Sequence, residues 1–269
     1  MLSVIVIAKN EEDRIKTCLE SVKFADEIIV FDNGSTDNTV KIARGFTDRV
    51  YSADISDFAN LRNKAMEKAT GDWVLYVDAD ERILEPLKSE ITQIISSESD
   101  KSAYALSRRN VIFGTEAKYG PFWPDWVIRL VRKDRFKTWV GMVHEYMTFE
   151  GNLGYTKNSL LHLTHRGVDQ MIKKNLEWSK IDAKLRFDAN HPKMSGWRFL
   201  RIFVTETFSQ GIIRRGFFGG TVGVMDSLIQ VFSMLTTYIR LWEMQQPKLL
   251  DEIYDEIDQN LAENKFNYK

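Results

Sequence analysis

The chain has 269 residues, 43% of them hydrophobic, with 37 Lys and Arg against 38 Asp and Glu. That length allows one large or two small domains around a real apolar core, and the even charge excludes a globally basic surface for nucleic acid, so any binding electrostatics must be local. A single cysteine, Cys18, excludes an internal disulfide framework and fits a reducing compartment.

In chain order, the first hundred residues alternate between strand and helix. Residues 2–8 are an apolar run of buried-strand length. No basic segment precedes this run and an acidic helix follows, so a strand is expected here rather than a signal peptide. Over 12–22, Ile15, Cys18, Leu19 and Val22 fall at helical spacing, which makes Cys18 a core residue rather than a nucleophile. Residues 27–31 predict a second strand, and Asn33-Gly34-Ser35 a turn followed by a helix cap. Val40 and Ala43 continue that helix, and residues 49–52 predict a third strand. A helix over 58–69 puts Phe58, Leu61, Ala65 and Ala69 on one face, and a fourth strand over 73–77 breaks off into Asp78-Ala79-Asp80-Glu81. This alternation predicts an α/β fold: a doubly wound, mostly parallel sheet with helices on both faces. Ligands of such sheets bind beyond the carboxyl ends of the strands. Those ends carry Lys9-Asn10-Glu11, Asp32-Asn33-Gly34-Ser35 and Asp78-Ala79-Asp80.

From 103 to 165 the runs become shorter, β-like and aromatic, and strands at 127–131 and 144–149 predict a small antiparallel extension. After Gly167 the pattern is helical to the end, which divides the chain into 1–167 and a helical region, 168–269. Over 221–243, Met225, Leu228, Phe232, Leu235, Ile239 and Trp242 share one face, opposite Asp226, Gln230, Ser233, Thr237 and Arg240. That helix is amphipathic, and since no run of about 18 uninterrupted apolar residues occurs, a spanning helix is not expected. Arginines among large aromatics, from Trp197-Arg198 to Arg215-Gly216-Phe217-Phe218, suit a membrane interface. The alternative is a bundle packed on the first domain or on a second subunit. A cytoplasmic protein, peripheral on the inner membrane surface, is the expectation.

The chemistry concentrates in two motifs. Asp78 and Asp80, two residues apart on a turn leaving an apolar strand, can converge on a hard divalent cation such as Mg²⁺ or Mn²⁺. Asp32, at another strand tip, can accept hydrogen bonds from a base or ribose, with Gly34 permitting the turn and the next helix offering free amides. A solvated acidic turn and an N-cap are the plain structural readings of the same residues.

Residues 4–11 (Val-Ile-Val-Ile-Ala-Lys-Asn-Glu), Asp32 to Asp37, Arg62-Asn63 and residues 71–81 resemble, in order, the motifs of the family 2 glycosyltransferases. Residues 123–130, Val143-His144-Glu145 and 215–220 resemble more loosely the subgroup of lipopolysaccharide inner-core beta-1,4-glucosyltransferases. The resemblance implies a GT-A fold, a UDP-sugar donor, an inverting reaction and a glycan or glycolipid acceptor. By position it implies that Ala8 and Glu11 line the nucleoside pocket and that Asp32 meets the base. Arg62 would approach the ribose or diphosphate, Asp78 the ribose and metal, and Asp80 would be the principal ligand of Mg²⁺ or Mn²⁺.

Inversion needs a general base, usually a carboxylate. The Glu-Asp pair found in many members is replaced here by Phe122-Trp123-Pro124-Asp125, which leaves Asp125 and Glu145 as candidates, with Asp125 preferred. His144 is expected as a metal ligand or phosphate contact, or else as a packed partner of Glu145; His162 and His165 as structural or loop residues, with an acceptor phosphate the alternative; and Arg129 and Arg132 as contacts to diphosphate or an anionic acceptor, or else as solvated side chains. Two other classes compete. A sugar nucleotidyltransferase would need a Gly-rich basic loop where Ala8-Lys9-Asn10-Glu11 stands. A nucleotide-sugar-binding scaffold without catalysis would fit the missing Glu-Asp pair but not the intact Asp32, Asp78 and Asp80.

Overall fold

A computed structural model describes residues 1–55, 57–120, 124–141 and 145–263. Contacts divide the chain into two units, Met1–Lys118 with Phe122–Arg166 and Tyr119–Pro121 with Gly167–Lys269.

In the first unit, β1 (Leu2–Ala8), α1 (Ile15–Ser21), β2 (Glu27–Asp32), α2 (Thr39–Ala43), β3 (Val50–Ser52), α3 (Phe58–Met66) and β4 (Trp73–Asp78) follow the expected alternation. Every residue of β1 is buried, as a strand covered on both faces requires. Val4, Val6, Leu75 and Val77 pack under α1, α2 and a further helix, α4 (Glu85–Ser96), which follows a short strand, β5 (Glu81–Arg82). Cys18 lies in this layer, fully buried, and burial pushes its thiol above its ordinary range. Ile5, Ile7, Val74 and Tyr76 face the other way, onto Leu61 and Ala65 of α3. Asp57 caps α3 by accepting from the Ala59 and Asn60 amides, and Phe58, expected on the buried face, is instead exposed.

The chain continues through β6 (Lys101–Ile112), β7 (Thr115–Glu116), β8 (Asp125–Arg132), β9 (Phe136–Val140), β10 (Tyr146–Phe149) and β11 (Asn152–His162). The order β3-β2-β1-β4-β8-β6-β11-β5, with β7 on β6, makes one nine-stranded sheet, while β9 and β10 form a separate antiparallel pair. The antiparallel extension is thus larger than expected. It is fused to the main sheet through β8 and ends in β11, which runs parallel to β6.

The second unit consists of α5 (Val168–Asp188), α6 (Gly196–Phe208), a π-turn at Ser209–Ile213, α7 (Gly220–Met244) and α8 (Leu250–Ala262). Its small core joins Ala183 of α5, Ile202 of α6 and Leu241 of α7. The Arg186 guanidinium lies over the Tyr238 ring, 4.9 Å from its centroid. By length and composition alone, α7 is long and apolar enough to cross a bilayer.

Candidate active site

Strand pairing gathers the polar residues on one edge. β1, β2 and β4 run parallel, which sets Ala8 beside Asp32 and Ile7 beside Asp78. β8 lies antiparallel to β4 and to β6, so Asp125 faces Arg108. β11 pairs with β6 and β5, so His162 stands opposite both Asn110 and Glu81.

The first two loops clamp each other. Asn10, in a left-handed conformation, donates its amide to Ser35 Oγ at 2.8 Å and accepts from the Thr36 amide at 2.8 Å. Asp32 is buried, and its carboxylate accepts from the Gly34 and Ser35 amides at 3.2 Å. Gly34 itself takes a φ of 76°, which a side chain would resist. Ala8 is buried, and its carbonyl accepts from the Asn33 amide at 2.8 Å. Glu11 pairs with Arg14 at 3.2 Å. Burial raises its carboxyl, with the Asp80 charge adding to the rise against Arg14.

Asp78 sits between two guanidinium groups. It accepts from Arg62 at 2.9 Å and, through its other oxygen, from Arg129. Burial opposes its charge, but Arg129 and then Arg62 outweigh burial and hold its carboxyl well below the usual range. Arg129 also donates to the fully buried Glu81 at 3.0 Å, and Glu81 in turn accepts from the Asp78 amide at 2.9 Å. The Arg62 guanidinium lies 4.9 Å from the Trp139 ring centroid, a cation–π distance. Its Nε and Nη1 donors, and Nε of Arg129, have no acceptor among the described residues. Buried donors of this kind are costly unless something accepts from them. Asn63, beside Arg62, exchanges two hydrogen bonds with the Trp139 backbone and so fixes that ring in place.

Asp80 points instead to His162, with Oδ2 3.3 Å from Nε2. The geometry around His162 assigns its tautomer. Asp125 accepts from Arg108 at 2.8 and 3.2 Å and from Asn110 Nδ2 at 2.9 Å. A carboxylate only accepts, so the amide nitrogen of Asn110 faces Asp125 and its Oδ1 faces His162 Nδ1 at 2.6 Å. The Nδ1 of His162 therefore donates to Asn110, and Nε2 is the ring atom that faces the carboxylate. A proton on Nε2, or a cation between the two atoms, satisfies that contact.

Ala8, Glu11, Asp32, Arg62, Asp78 and Asp80 thus share one edge with Asp125. Asp78 is occupied by two arginines rather than left open for a metal, and both Asp125 oxygens are occupied by Arg108 and Asn110. Glu145, half-buried, immediately precedes β10. His144 lies outside the described residues. Arg129 belongs to the cluster, whereas Arg132 pairs with Asp134 at 3.2 Å near the opposite end of β4, opposite Trp73. A cavity lined by Thr70, Trp73, Ser97, Arg132 and Asp134 lies at that far edge too, away from the carboxylates. Among the described residues no three His, Cys, Asp or Glu side chains converge as a ready-made metal site. Reasoning from sequence missed His162, Asn110, Arg108 and Glu81. Only the apolar–polar alternation entering His162 hinted at a strand there.

The first unit is thus a doubly wound, mostly parallel sheet with a fused antiparallel extension and a polar carboxyl edge. The chain belongs to glycosyl transferase family 2, whose profile matches residues 3–149, more than half its length. It is 28% identical over 256 residues to an uncharacterized glycosyltransferase of Rickettsia typhi, covering 90% of this chain and 87% of the relative. It is 27% identical over 250 residues to the lipopolysaccharide core biosynthesis glycosyltransferase LpsC of Rhizobium meliloti, covering 86% and 89%. Among solved structures, glucosyl-3-phosphoglycerate synthase of Mycobacterium tuberculosis, in complex with Mn²⁺ and UDP-glucose, aligns over 40% of this chain and 44% of its own at 25% identity, with a TM-score of 0.35.

Proposed function

We propose that the chain is an inverting, metal-dependent hexosyltransferase that moves a sugar from a UDP-sugar to a lipopolysaccharide-core or other lipid-linked glycan. Membership of the family supports glycosyl transfer, and likeness along most of the chain to a protein named for core biosynthesis supports the acceptor class. The observation that carries the metal reading is the Asp80–His162 pair, with Nε2 of the ring turned toward the carboxylate.

In this reading Ala8, Glu11 and Asp32 border the nucleoside. Asp78 acts through Arg62 and Arg129, whose unpartnered N–H groups donate to the ribose or diphosphate. Asp80 and His162 hold the cation, with His162 in the role first expected of His144. One carboxylate oxygen and one imidazole nitrogen fit Mg²⁺ or Mn²⁺, ions that commonly keep water and phosphate oxygens in their other positions. A cation there supplies neutralisation of the departing diphosphate. Glu145 takes the acceptor proton, because Asp125 is engaged on both oxygens.

The test is release of UDP from a panel of nucleotide sugars with Mn²⁺, Mg²⁺ or EDTA. Metal-dependent turnover of one UDP-sugar is expected. Binding of a nucleotide sugar without turnover on any acceptor would favour the scaffold reading, and no binding at all would overturn the proposal.

A further inference from the structure

Amphipathic helices in a folded domain normally bury their apolar side, yet α7 buries only Val231 and Leu241 of its large apolar residues and leaves a second apolar stripe outside. Its Asp226, Ser227 and Thr237 are buried, while Leu228 (53% exposed), Phe232 and Ile239 (54%) face solvent along one stripe. Arg240, on the inward face, donates to Ser179 of α5 at 3.0 Å. Helix α6 repeats the arrangement, with Trp197 (72% exposed), Leu200, Val204 and Phe208 in a single stripe and only Ile202 buried. The connection between them exposes Ile213 and Phe218 (69%). Scattered exposed apolar residues are ordinary, but a run across two helices and their connection marks a surface that meets something other than water.

Charge identifies the occupant. Residues 196–219 hold four arginines, Arg198, Arg201, Arg214 and Arg215, against one acid, Glu206, in a chain whose net charge is −1. Among the described residues none of these four makes a salt bridge. A second copy docked through the same face by a two-fold axis would press like charges together, whereas an anionic lipid surface pairs with the guanidinium groups and accepts the rings at its headgroup boundary. Helix α7 packs along α5, which carries Lys173, Lys174, Lys180 and Lys184, so it cannot be ringed by lipid as a spanning helix is.

We propose that the exposed apolar face of α6 and α7, with its arginines, is an in-plane docking surface for an anionic bilayer. The inference stands on the second unit alone and does not depend on glycosyl transfer. Its test is flotation of the full chain with vesicles of phosphatidylcholine, with or without phosphatidylglycerol. Binding is expected with phosphatidylglycerol, weakened roughly fivefold for each of Arg198, Arg201, Arg214 and Arg215 changed to Gln. Trp197→Ser with Phe218→Ser should release the protein from the same vesicles while keeping the wild-type circular dichroism and melting curve. Because both positions are solvent-exposed, folding is expected to survive. If that double variant nevertheless failed to fold, the Arg→Gln series would still decide. Failure of the wild-type chain to float with anionic vesicles, or a dimer in sedimentation that Trp197→Ser dissociates, would overturn the proposal.

Discussion

Asn110→Leu separates the hold on His162 from His162 itself. The change keeps the side-chain volume near that of Asn but deletes the acceptor for Nδ1–H at 2.6 Å and the donor to Asp125 at 2.9 Å. Asp125 keeps both bonds from Arg108, so its charge stays paired and the stability loss should be about 1–3 kcal/mol, the worth of hydrogen bonds that include a charged partner. The larger effect falls on the ring, which is free to turn or to move its proton to Nε2. Loss of such an outer partner typically costs 10–100-fold in metal affinity, or about 1.4–2.7 kcal/mol. Titration of Mn²⁺ into protein with UDP, read by electron paramagnetic resonance, measures that loss. Nitrogen-15 spectra of the His162 ring report the tautomer without any metal. Wild-type Mn²⁺ affinity in Asn110→Leu, or a wild-type ring protonated at Nε2 alone, would refute the reasoning.

The other predictions follow from the same cluster. Asp80→Ala should abolish transfer while leaving the thermal unfolding midpoint near wild type, and transfer at saturating metal would remove Asp80 from the site. Glu145→Gln should lower kcat by at least about 100-fold with donor binding intact, while Asp125→Asn should show mainly in the melting curve; the reverse pattern would return the base role to Asp125. Arg129→Met leaves Glu81 only the longer ion pair with Arg108 at 3.6 Å and strands one oxygen of Asp78, and should cost about 3 kcal/mol in urea unfolding. The folded-state carboxyl of Asp78 is depressed, so its stabilisation is fully present above the unfolded value of about 4 and is lost as pH falls through the folded value. The stability gap between wild type and Arg129→Met should therefore narrow below about pH 4, and a gap that widened on acidification would contradict the pairing.

The parallel half of the sheet was legible in the sequence because strands buried on both faces must be continuous apolar runs, as β1 and β4 are, and because Asn33-Gly34 marks a turn few other residues adopt. Asp32, Asp78 and Asp80 were legible for the same reason: each ends such a run, and the ends of parallel strands share an edge. What sequence by itself could not determine was which partners those carboxylates have. His162 follows Asp80 by more than eighty residues, and only the pairing of β11 with β5 and β6 brings it within reach, as the pairing of β8 with β6 closes Arg108 onto Asp125. Helix α7 makes the same point from the other side. The spacing of Leu228, Phe232 and Ile239 establishes that an apolar face exists, since helical period is a local property. Whether that face turns inward or outward depends on what packs against the other side, and here the side with Val231, Thr237 and Leu241 is the buried one, a choice made only when the helices meet in three dimensions.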